Sequence, residues 1–347
     1  MTRTLFISAV ALSSLLLLSY GQKKTKYKVI AIGSYNCENL FDLEDDPNKK
    51  DEDFTPAGPY NYTAKVYNEK LHNIATVIQK MGLDVTPDGP AIVGLVEIEN
   101  GRVLKDLVAQ PELARRDYQY IWFPTSDERG ISTAMLYNPK YFQLLHAEPV
   151  RVPVETIGQT RPTRDVLFVS GILSGDTVHF LVNHWPSKSG GEAASAPGRR
   201  LAAEVDKHII DSLQGKNPEA KIVLMGDLND NPDADGVVNV LRAKASKDDI
   251  KVTDIYNPWM KMYAKGMGTE VFREEWNLID QIMVSGALVR NNNKKWGYYN
   301  AEIFNRDFIT NKMGKDKGHP HRSFTIAQVW DDGYSDHFPV LIYLLNK

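Results

Sequence analysis

The stretch of residues 221–229, Lys-Ile-Val-Leu-Met-Gly-Asp-Leu-Asn, constrains the fold more than any other segment of the chain. Residues 222–226 are apolar or glycine and lie between charged residues, which predicts a short buried strand rather than a surface helix. Asp227 and Asn229 follow, and in an extended chain side chains two residues apart point the same way. The pattern indicates either a polar site at a strand end or an ordinary turn, because Gly, Asp and Asn are common turn residues.

The same arrangement recurs along the chain. The polar residues concerned are Asn36, Glu97, His184 and Asp227 at the ends of apolar strands, Asp280 inside a strand over residues 277–284, and Asp336 and His337 directly before the last strand. If the last strand runs antiparallel to its neighbours, all these groups meet at one edge of the sheets, where ligand sites of layered α/β folds lie. Carboxylates gathered there repel one another, and oxygen ligands without cysteine favour Mg²⁺ or Mn²⁺ over zinc.

Each residue also has a purely structural interpretation. Glu97 precedes a predicted helix and suits a helix start, and His184 before Trp-Pro suits a loop cap. Asp280 could pair with a lysine, and His337 could lie in the core. Each of these alternatives is reasonable for a single residue. That all of these polar residues occur at strand ends or within a strand favours a functional site.

Composition sets broad limits on the class of protein. The chain has 347 residues, 42% of them hydrophobic, which suffices for one large α/β domain or two smaller ones. No linker or repeat divides it, so we expect one catalytic domain over residues 22–347. The net charge of −3 excludes a global basic field for nucleic acid. The single cysteine, Cys37, allows no internal disulfide and is expected to be buried.

The N-terminus predicts export. Arg3 precedes an apolar run over residues 5–18, and small residues follow at Ser19 and Gly21. This pattern is typical of a cleaved signal peptide over residues 1–21, and the run is short for a membrane anchor. We therefore expect an exported protein, periplasmic or secreted.

The ordered motifs resemble those of the endonuclease/exonuclease/phosphatase superfamily, the deoxyribonuclease I-like metal-dependent phosphoesterases. The motifs are Asn36, Glu97, Asn183-His184, Gly226-Asp227-Leu228-Asn229, Leu278-Ile279-Asp280 and Ser335-Asp336-His337. The resemblance spans about residues 27–345. It implies an α/β fold, a four-layer αββα sandwich of two packed, mostly antiparallel sheets, and metal-dependent hydrolysis of a phosphate ester.

The resemblance also implies roles for single residues. Glu97 would be the main ligand of Mg²⁺ or Mn²⁺, with Asn36 and Asp336 completing or supporting the metal site. Asp227 would position or deprotonate the attacking water, and Asn229 would hold water and phosphate in line. The catalytic set is completed by His337, oriented by Asp280, and by His184, which would donate to a phosphoryl oxygen. Asp227 and His337 both qualify as the general base.

Three features depart from the family pattern or stay open. Gln281 stands where many relatives have His or Tyr after the aspartate. The acid that would orient His184 is not identified by the sequence; the candidates are Asp127, Glu128 and Asp165. Arg164 could steer phosphate or form a structural salt bridge.

The substrate is less constrained than the reaction. Basic loops with aromatic residues suit a nucleic-acid backbone; they contain Lys294, Lys295, Trp296, Tyr298, Tyr299, Lys312, Lys315, Lys317, His319, His321 and Arg322. Residues 259–263 could touch a membrane or pack on the core, and Arg199 and Arg200 could bind extra phosphates.

We expect a monomeric, exported, nuclease-like phosphodiesterase that acts on a phosphate ester, with nucleic acid favoured and no stable protein partner. A sphingomyelinase-like or sugar- or inositol-phosphate phosphatase activity is the alternative. A binding protein that has lost catalysis is a further one, although every expected catalytic position is filled.

Overall fold

The computed structural model describes residues 27–290 and 295–346. The predicted signal peptide, residues 1–21, lies outside the described residues, as does Lys294, so export stays a prediction. Among the helices described, none combines the length and hydropathy that crossing a membrane requires.

The described residues form fourteen strands: β1 Lys28–Leu40, β2 Pro90–Ile98, β3 Gln119–Trp122, β4 Ser132–Tyr137, β5 Phe142–Val150, β6 Val166–Leu173, β7 Asp176–His184, β8 Lys221–Asp227, β9 Ile255–Tyr256, β10 Glu270–Phe272, β11 Glu275–Asn277, β12 Asp280–Ser285, β13 Gly297–Ile303 and β14 Val340–Asn346. The α-helices are α1 Ala64–Lys80, α2 Gly101–Val108, α3 Glu192–Lys216, α4 Trp259–Tyr263 and α5 Gly286–Val289. Short 3-10 segments lie at Glu52–Phe54, Ala114–Arg116, Val154–Ile157 and Asp307–Ile309, and a π-helical turn at Gly236–Val240.

Two six-stranded sheets organise this part of the chain. Their strand orders are β13-β14-β1-β2-β4-β3 and β5-β6-β7-β8-β12-β9, and β10 pairs with β11 in a separate hairpin. Each large sheet has one parallel pair, β1 with β2 and β7 with β8, and its other pairs are antiparallel. The predicted pair of mostly antiparallel sheets is confirmed.

The sheets pack face to face, with helices outside them. A Cβ atom at Gly94 of β2 would lie 3.1 Å from Met225 Cε of β8, so glycine permits the close approach of the sheets there. Leu71 and Ile74 of α1 are buried in the same core as β1 and β2. On the other side, Ala202 of α3 is buried with apolar side chains of β8 in a second cluster. These contacts give the predicted order of layers, helix, sheet, sheet and helix.

Helix α3 begins earlier than its sequence predicts. The small residues and glycines of residues 187–198 predict a loop, followed by a helix from about Arg199 to Leu213, but the helix starts at Glu192 and includes Pro197. The buried guanidinium of Arg199 explains the difference, because it donates to the Ser195 hydroxyl at 2.8 Å and pairs with Glu192. Both contacts lie within the first two turns and hold them in helical conformation.

Residues 245–276, which we expected to be irregular, contain short regular elements instead. They comprise β9, α4, β10 and β11. Trp259 of α4 is wholly buried, and its indole N–H donates to the Ile282 carbonyl at 2.9 Å. The segment 259–263 therefore packs on the core, as the second of our two interpretations predicts.

Asp206 of α3 makes the stability of the fold depend on pH. Its side chain is wholly buried; Trp185 Nε1–H donates to Oδ2 at 3.0 Å, and Oδ1 has no hydrogen-bond partner. Burial raises the pKa of Asp206 to about 8. In the unfolded chain the pKa of Asp is about 3.9. Between these values the folded state holds a proton that the unfolded state has lost, so the free energy of unfolding falls as pH rises.

We expect Asp206→Asn to remove this contribution. The variant should match the wild type near pH 4 and exceed its free energy of unfolding increasingly up to pH 8, by at most about 1.4 kcal/mol per pH unit. Urea unfolding at several pH values measures the difference. Asp211→Asn, an exposed change on the same helix, is the control and should leave the pH dependence unchanged. If the free energy of unfolding changes with pH equally in the wild type and in Asp206→Asn, the raised pKa assigned to Asp206 is wrong.

Candidate active site

The predicted polar residues converge at one edge of the two sheets. β7 and β8 run parallel and end at His184 and Asp227, whereas β12 runs antiparallel to β8 and begins at Asp280. His184 is paired with Asp227, and Asp227 with Asp280, so the three residues form one row across adjacent strands. β14 is antiparallel to β1, which brings the residues preceding β14 to the same edge as Asn36. The last strand therefore runs antiparallel to its neighbours, the condition under which the sequence predicts that these groups meet at one edge.

Gly226 allows β7 and β8 to approach closely next to Asp227. Its φ is +139°, and a Cβ atom there would lie 1.9 Å from the Asn183 carbonyl oxygen, so no other residue fits. Asn229 has left the strand, with φ of +50°. Its backbone N–H donates to Asp227 Oδ1 at 2.8 Å, and its side-chain Nδ2 donates to the Trp185 carbonyl at 3.0 Å. The extended geometry that we expected over residues 227–229 therefore ends at Asp227, and a closed turn holds Asn229.

His337 and Asp280 form a buried hydrogen-bonded pair. His337 Nδ1 lies 2.7 Å from Asp280 Oδ2. Ser335 fixes the neighbouring backbone, because its hydroxyl donates to the Asn36 carbonyl at 2.7 Å and accepts the His337 N–H at 3.1 Å. Asp280 thus orients His337 as the sequence predicted, and neither residue takes its structural alternative.

Asp227 is held from both sheets. Asn36 Nδ2 of β1 donates to Asp227 Oδ2 at 3.0 Å and lies 3.5 Å from His337 Nε2. The amide oxygen of Asn36 accepts the Glu38 N–H at 2.9 Å. Asn36 therefore joins the second-sheet carboxylate to the first sheet and to the histidine pair.

Glu97 and His184 lie on the other side of Asp227. Glu97 has φ of +63°, and its Oε2 accepts the Asn39 N–H at 2.8 Å. His184 Nε2 lies 3.9 Å from Glu97 Oε1 and 3.8 Å from Asp227 Oδ2. The three side chains thus form one cluster at the edge of the sheets.

No described acid orients His184 through its second ring nitrogen, since Nδ1 is buried without a hydrogen-bond partner. Of the candidates, Asp127 pairs with Arg164 at 3.2 Å and Glu128 pairs with Lys50. Arg164 is buried in this salt bridge and also donates to the Trp185 carbonyl at 2.6 Å. Arg164 therefore has the structural role that we proposed as one of its two alternatives.

The protonation of the two histidines differs. Burial, with the positive charges of Arg164, Arg129 and His337, lowers the pKa of His184 well below its usual value. Burial also lowers the pKa of His337, but the charge and hydrogen bond of Asp280 outweigh it and raise that pKa well above its usual value. At neutral pH His184 is therefore a neutral hydrogen-bond donor or acceptor, and His337 is an imidazolium cation.

Asp227 has the properties of a base. Burial and the charge of Asp280 raise its pKa to about 7. A carboxylate with a pKa near neutrality exchanges protons efficiently at physiological pH.

The donor set of the cluster fits a hard divalent cation. Glu97, Asp227 and Asp336 offer carboxylate oxygens, which Mg²⁺ and Mn²⁺ prefer, and Asn36 offers an amide. Burial, and secondly the charge of Asp280, raise the pKa of Asp227, and a cation bound beside it would favour its ionised form. Among the described residues, ligand atoms of Asp227, Asp280 and His337 lie within 4.8 Å of one another, and the Asp280–His337 hydrogen bond accounts for that group, whereas Glu97 and Asp336 belong to no group this close. Asp336 pairs with Arg322 at 3.2 Å and lies 3.8 Å from His337 Nε2.

A buried network below the cluster was missed from the sequence. Glu38 Oε2 accepts the Ser323 N–H at 2.6 Å, and the wholly buried Lys70 donates to the Ser323 hydroxyl at 2.6 Å. The network fastens the loop before Asp336 to the end of β1. The sequence does indicate that Lys70 is buried, because it lies on the apolar face of α1, three residues after Tyr67 and four before Ile74.

Several predicted substrate contacts are placed elsewhere by the structure. Trp296 is buried, and its N–H donates to Asp176 at the start of β7, the end of that strand opposite His184. The basic loop near residue 296 is thus remote from the cluster, because β7 is about 25 Å long. Arg199 is buried against Asp230, and Arg200 pairs with Asp235, so neither extends towards a phosphate. Gln281 packs inward and donates to the Asp230 carbonyl at 2.8 Å.

Comparison with known proteins agrees with this geometry. A model of the Endonuclease/Exonuclease/phosphatase family matches residues 31–346. No curated protein matches significantly. Among solved structures, truncated Caenorhabditis elegans TDP2 is 13% identical with a TM-score of 0.55, over 91% of this chain and 97% of that one. D. rerio TDP2 complexed with single-strand DNA product is 14% identical with a TM-score of 0.54, over 92% and 99%. A Bacteroides thetaiotaomicron endonuclease/exonuclease/phosphatase family protein is 16% identical with a TM-score of 0.53, over 93% and 99%.

Proposed function

The chain belongs to the endonuclease/exonuclease/phosphatase family, and from this premise we propose that it is a metal-dependent, nuclease-like phosphodiesterase. One observation carries the proposal: Asp227, the His337–Asp280 pair, His184 and Glu97 come together at one edge of two sheets. Buried acids and histidines in that arrangement serve to accept a proton from water and to stabilise charge on phosphoryl oxygens.

Glu97 is the proposed main ligand of Mg²⁺ or Mn²⁺, with Asp336 and Asn36 completing or supporting the site. When bound, the ion would supply charge stabilisation to the phosphoryl oxygens. Asp227 would accept the proton of the attacking water, and Asn229, held against the Trp185 carbonyl, would orient that water with the phosphate. His337, kept cationic by Asp280, and neutral His184 would hydrogen-bond the phosphoryl oxygens from two sides.

Nucleic acid is the favoured substrate. The loop before Asp336 carries exposed Lys312, Lys315 and Lys317, and it adjoins the cluster through the Arg322–Asp336 pair. Such a loop suits a polyanionic backbone. The D. rerio TDP2 structure named above contains single-strand DNA product, which supports the same substrate class.

A lipid phosphodiester is the second candidate. The same loop exposes Met313 by 84%, Ile326 by 87% and Val329 by 60%. Apolar side chains beside lysines also suit the interface of an anionic membrane. Single-stranded DNA and sphingomyelin vesicles therefore belong in one assay.

We expect Mg²⁺- or Mn²⁺-dependent cleavage of at least one phosphate ester among linear and plasmid DNA, RNA, sphingomyelin vesicles and a phosphomonoester, and no cleavage in EDTA. Glu97→Gln should raise the metal concentration for half-maximal rate by at least about tenfold, because it removes a charged ligand. Glu204→Gln, an exposed change on α3, should not. Absence of metal-dependent cleavage on every substrate, with folding verified, would exclude the proposed activity.

A further inference from the structure

A polar cavity beside the active-site cluster has no role in the chemistry above. It has a volume of about 570 Å³, and its walls are residues 127–129, residues 158–164 and the region from Pro186 to the start of α3. We call it the arginine pocket, because Arg129, Arg161 and Arg164 line it. Serine, threonine and glutamine side chains line much of the remainder, so the cavity suits a charged and hydroxylated ligand rather than an apolar one.

Trp185 connects the arginine pocket to the cluster. The Trp185 N–H donates to the Asp227 carbonyl at 3.0 Å. The Trp185 carbonyl accepts from Asn229 Nδ2 at 3.0 Å and from Arg164 Nη2 at 2.6 Å. A ligand whose scissile phosphate contacts Asn229 can therefore place its next group in the pocket.

The charges around the pocket leave positive charge in excess. Asp127 is shared by Arg164 at 3.2 Å and Arg129 at 3.7 Å, and Glu128 is paired with Lys50 from a different loop. Arg161 is exposed; its charge, after that of Lys50, holds the pKa of Glu128 below its usual value, but it makes no hydrogen bond and no ion pair within 4.0 Å with another described residue. Its guanidinium is thus available to a ligand.

Two buried polar atoms of the pocket residues also lack partners. Arg164 Nε and Thr163 Oγ1 are both inaccessible to solvent and have no hydrogen bond within the described part of the chain. Each residue is about 6% exposed. Because solvent does not reach these two atoms, they lie behind the cavity wall, and the guanidinium groups open to a ligand are those of the exposed Arg161 and Arg129.

We infer that the arginine pocket binds a second anionic group of the substrate, a phosphate next to the scissile one. Phosphate offers several acceptor oxygens, which suit the planar fork of arginine donors and the hydroxyl groups of the pocket. The inference rests on the proposed phosphodiesterase function and makes it more specific: the preferred substrate carries two phosphates, either successive phosphates of a nucleic-acid strand or two phosphates of a sugar.

The test compares substrates that differ by one phosphate. The p-nitrophenyl ester of thymidine 5′-phosphate is assayed with and without a 3′-phosphate, and glucose 1,6-bisphosphate is assayed beside glucose 1-phosphate. We expect the wild type to favour the substrate with two phosphates by at least tenfold in kcat/KM in one of the two pairs. The pair that shows this preference indicates whether the substrate is a nucleotide or a sugar phosphate. Arg161→Ala should reduce this ratio about tenfold. Arg151→Ala, an exposed arginine outside the pocket that pairs with Glu155 at 3.0 Å, should leave both rates and their ratio unchanged.

A binding measurement keeps the inference independent of turnover. Calorimetry in EDTA with thymidine 3′,5′-bisphosphate and thymidine 5′-phosphate should show at least tenfold tighter binding of the bisphosphate, reduced by Arg161→Ala and Arg129→Ala. For the sugar, the same comparison uses glucose 1,6-bisphosphate and glucose 1-phosphate. If the protein hydrolyses none of the substrates but still binds the bisphosphate more tightly, the proposed function is wrong and the assignment of the arginine pocket as a phosphate-binding site stands. Equal affinities within both pairs, unaffected by Arg161→Ala, would overturn the pocket assignment even if the protein is an active phosphodiesterase.

Discussion

Asp227→Asn is expected to lower kcat by about 10³-fold or more on whichever phosphate ester the protein hydrolyses best. The change removes the group proposed to accept the proton of water, a contribution of about 10²–10⁴ in enzymes. It also weakens the positioning of Asn36 and Asn229, which donate to the two oxygens of Asp227. The change has two opposed effects on the free energy of unfolding at neutral pH. One of those donors would then face an amide NH₂ group, which lowers it by about 1–3 kcal/mol, whereas replacing a buried carboxyl whose pKa is raised to about 7 removes a cost of ionisation and raises it.

The pH profile separates loss of a base from loss of structure. Asp227 must be ionised to accept a proton, so the rate of the wild type should rise with pH up to its pKa, about 7 in the protein alone and lower beside a divalent cation. The variant should lack this limb of the kcat/KM profile. Asp211→Asn provides the control for an aspartate outside the site. Activity of Asp227→Asn within tenfold of wild type would refute the assigned role.

Loss of the His337–Asp280 pair is expected to have an effect of similar size. His337→Ala removes the cation proposed to stabilise the phosphoryl oxygens and should lower kcat by about 10³-fold. It also leaves Asp280 buried without its partner, and breaking a buried charge pair in this way costs about 3–5 kcal/mol of stability at neutral pH. His337→Gln retains a hydrogen-bond donor and should fold better while remaining impaired, which distinguishes catalysis from folding.

A double-mutant cycle tests whether the two residues act as a unit. Asp280→Asn alone should reduce kcat, because it removes the charge that keeps His337 protonated and oriented. Combined with His337→Ala, it should add little further loss, since groups that act together are strongly non-additive. Rates are measured at saturating substrate and metal, with circular dichroism and urea unfolding for each variant. Additive losses in the double variant would show that Asp280 does not act through His337.

The sequence predicted the strands of the core well where their pattern was local. The alternating patterns predict strands over residues 132–137 and 166–173, and β4 and β6 have these bounds, because each apolar run is limited by turn residues on both sides. The polar residues at the strand ends were found for the same reason. The start of α3 was misplaced, because Pro197 and Gly198 resemble a loop when the contacts of the Arg199 side chain are not known.

Local sequence patterns could not predict which charged residues are buried and which lie near the cluster. Arg199 and Arg200 are adjacent, yet one is buried and the other is half exposed. The loops near residues 295 and 315 are both basic and contain aromatic residues or histidines. The first lies at the start of β7, where Trp296 contacts Asp176, whereas the second lies beside the cluster, where Arg322 contacts Asp336. Local sequence does not determine which end of a sheet a loop adjoins, because that depends on strand direction and order.

The sequence by itself determined the family motifs and the strand ends that carry them, because these follow from the local pattern of apolar and polar residues, and the resemblance carried by those motifs implied the αββα layering. The resemblance implied the His337–Asp280 pair, whose members are 57 positions apart. Only the tertiary structure decided the other pairs, such as the Asn36–Asp227 hydrogen bond between residues 191 positions apart, and brought together the separate segments that line the arginine pocket. Such pairs form because strand register and sheet packing bring distant positions within about 3 Å, a distance that no local pattern encodes.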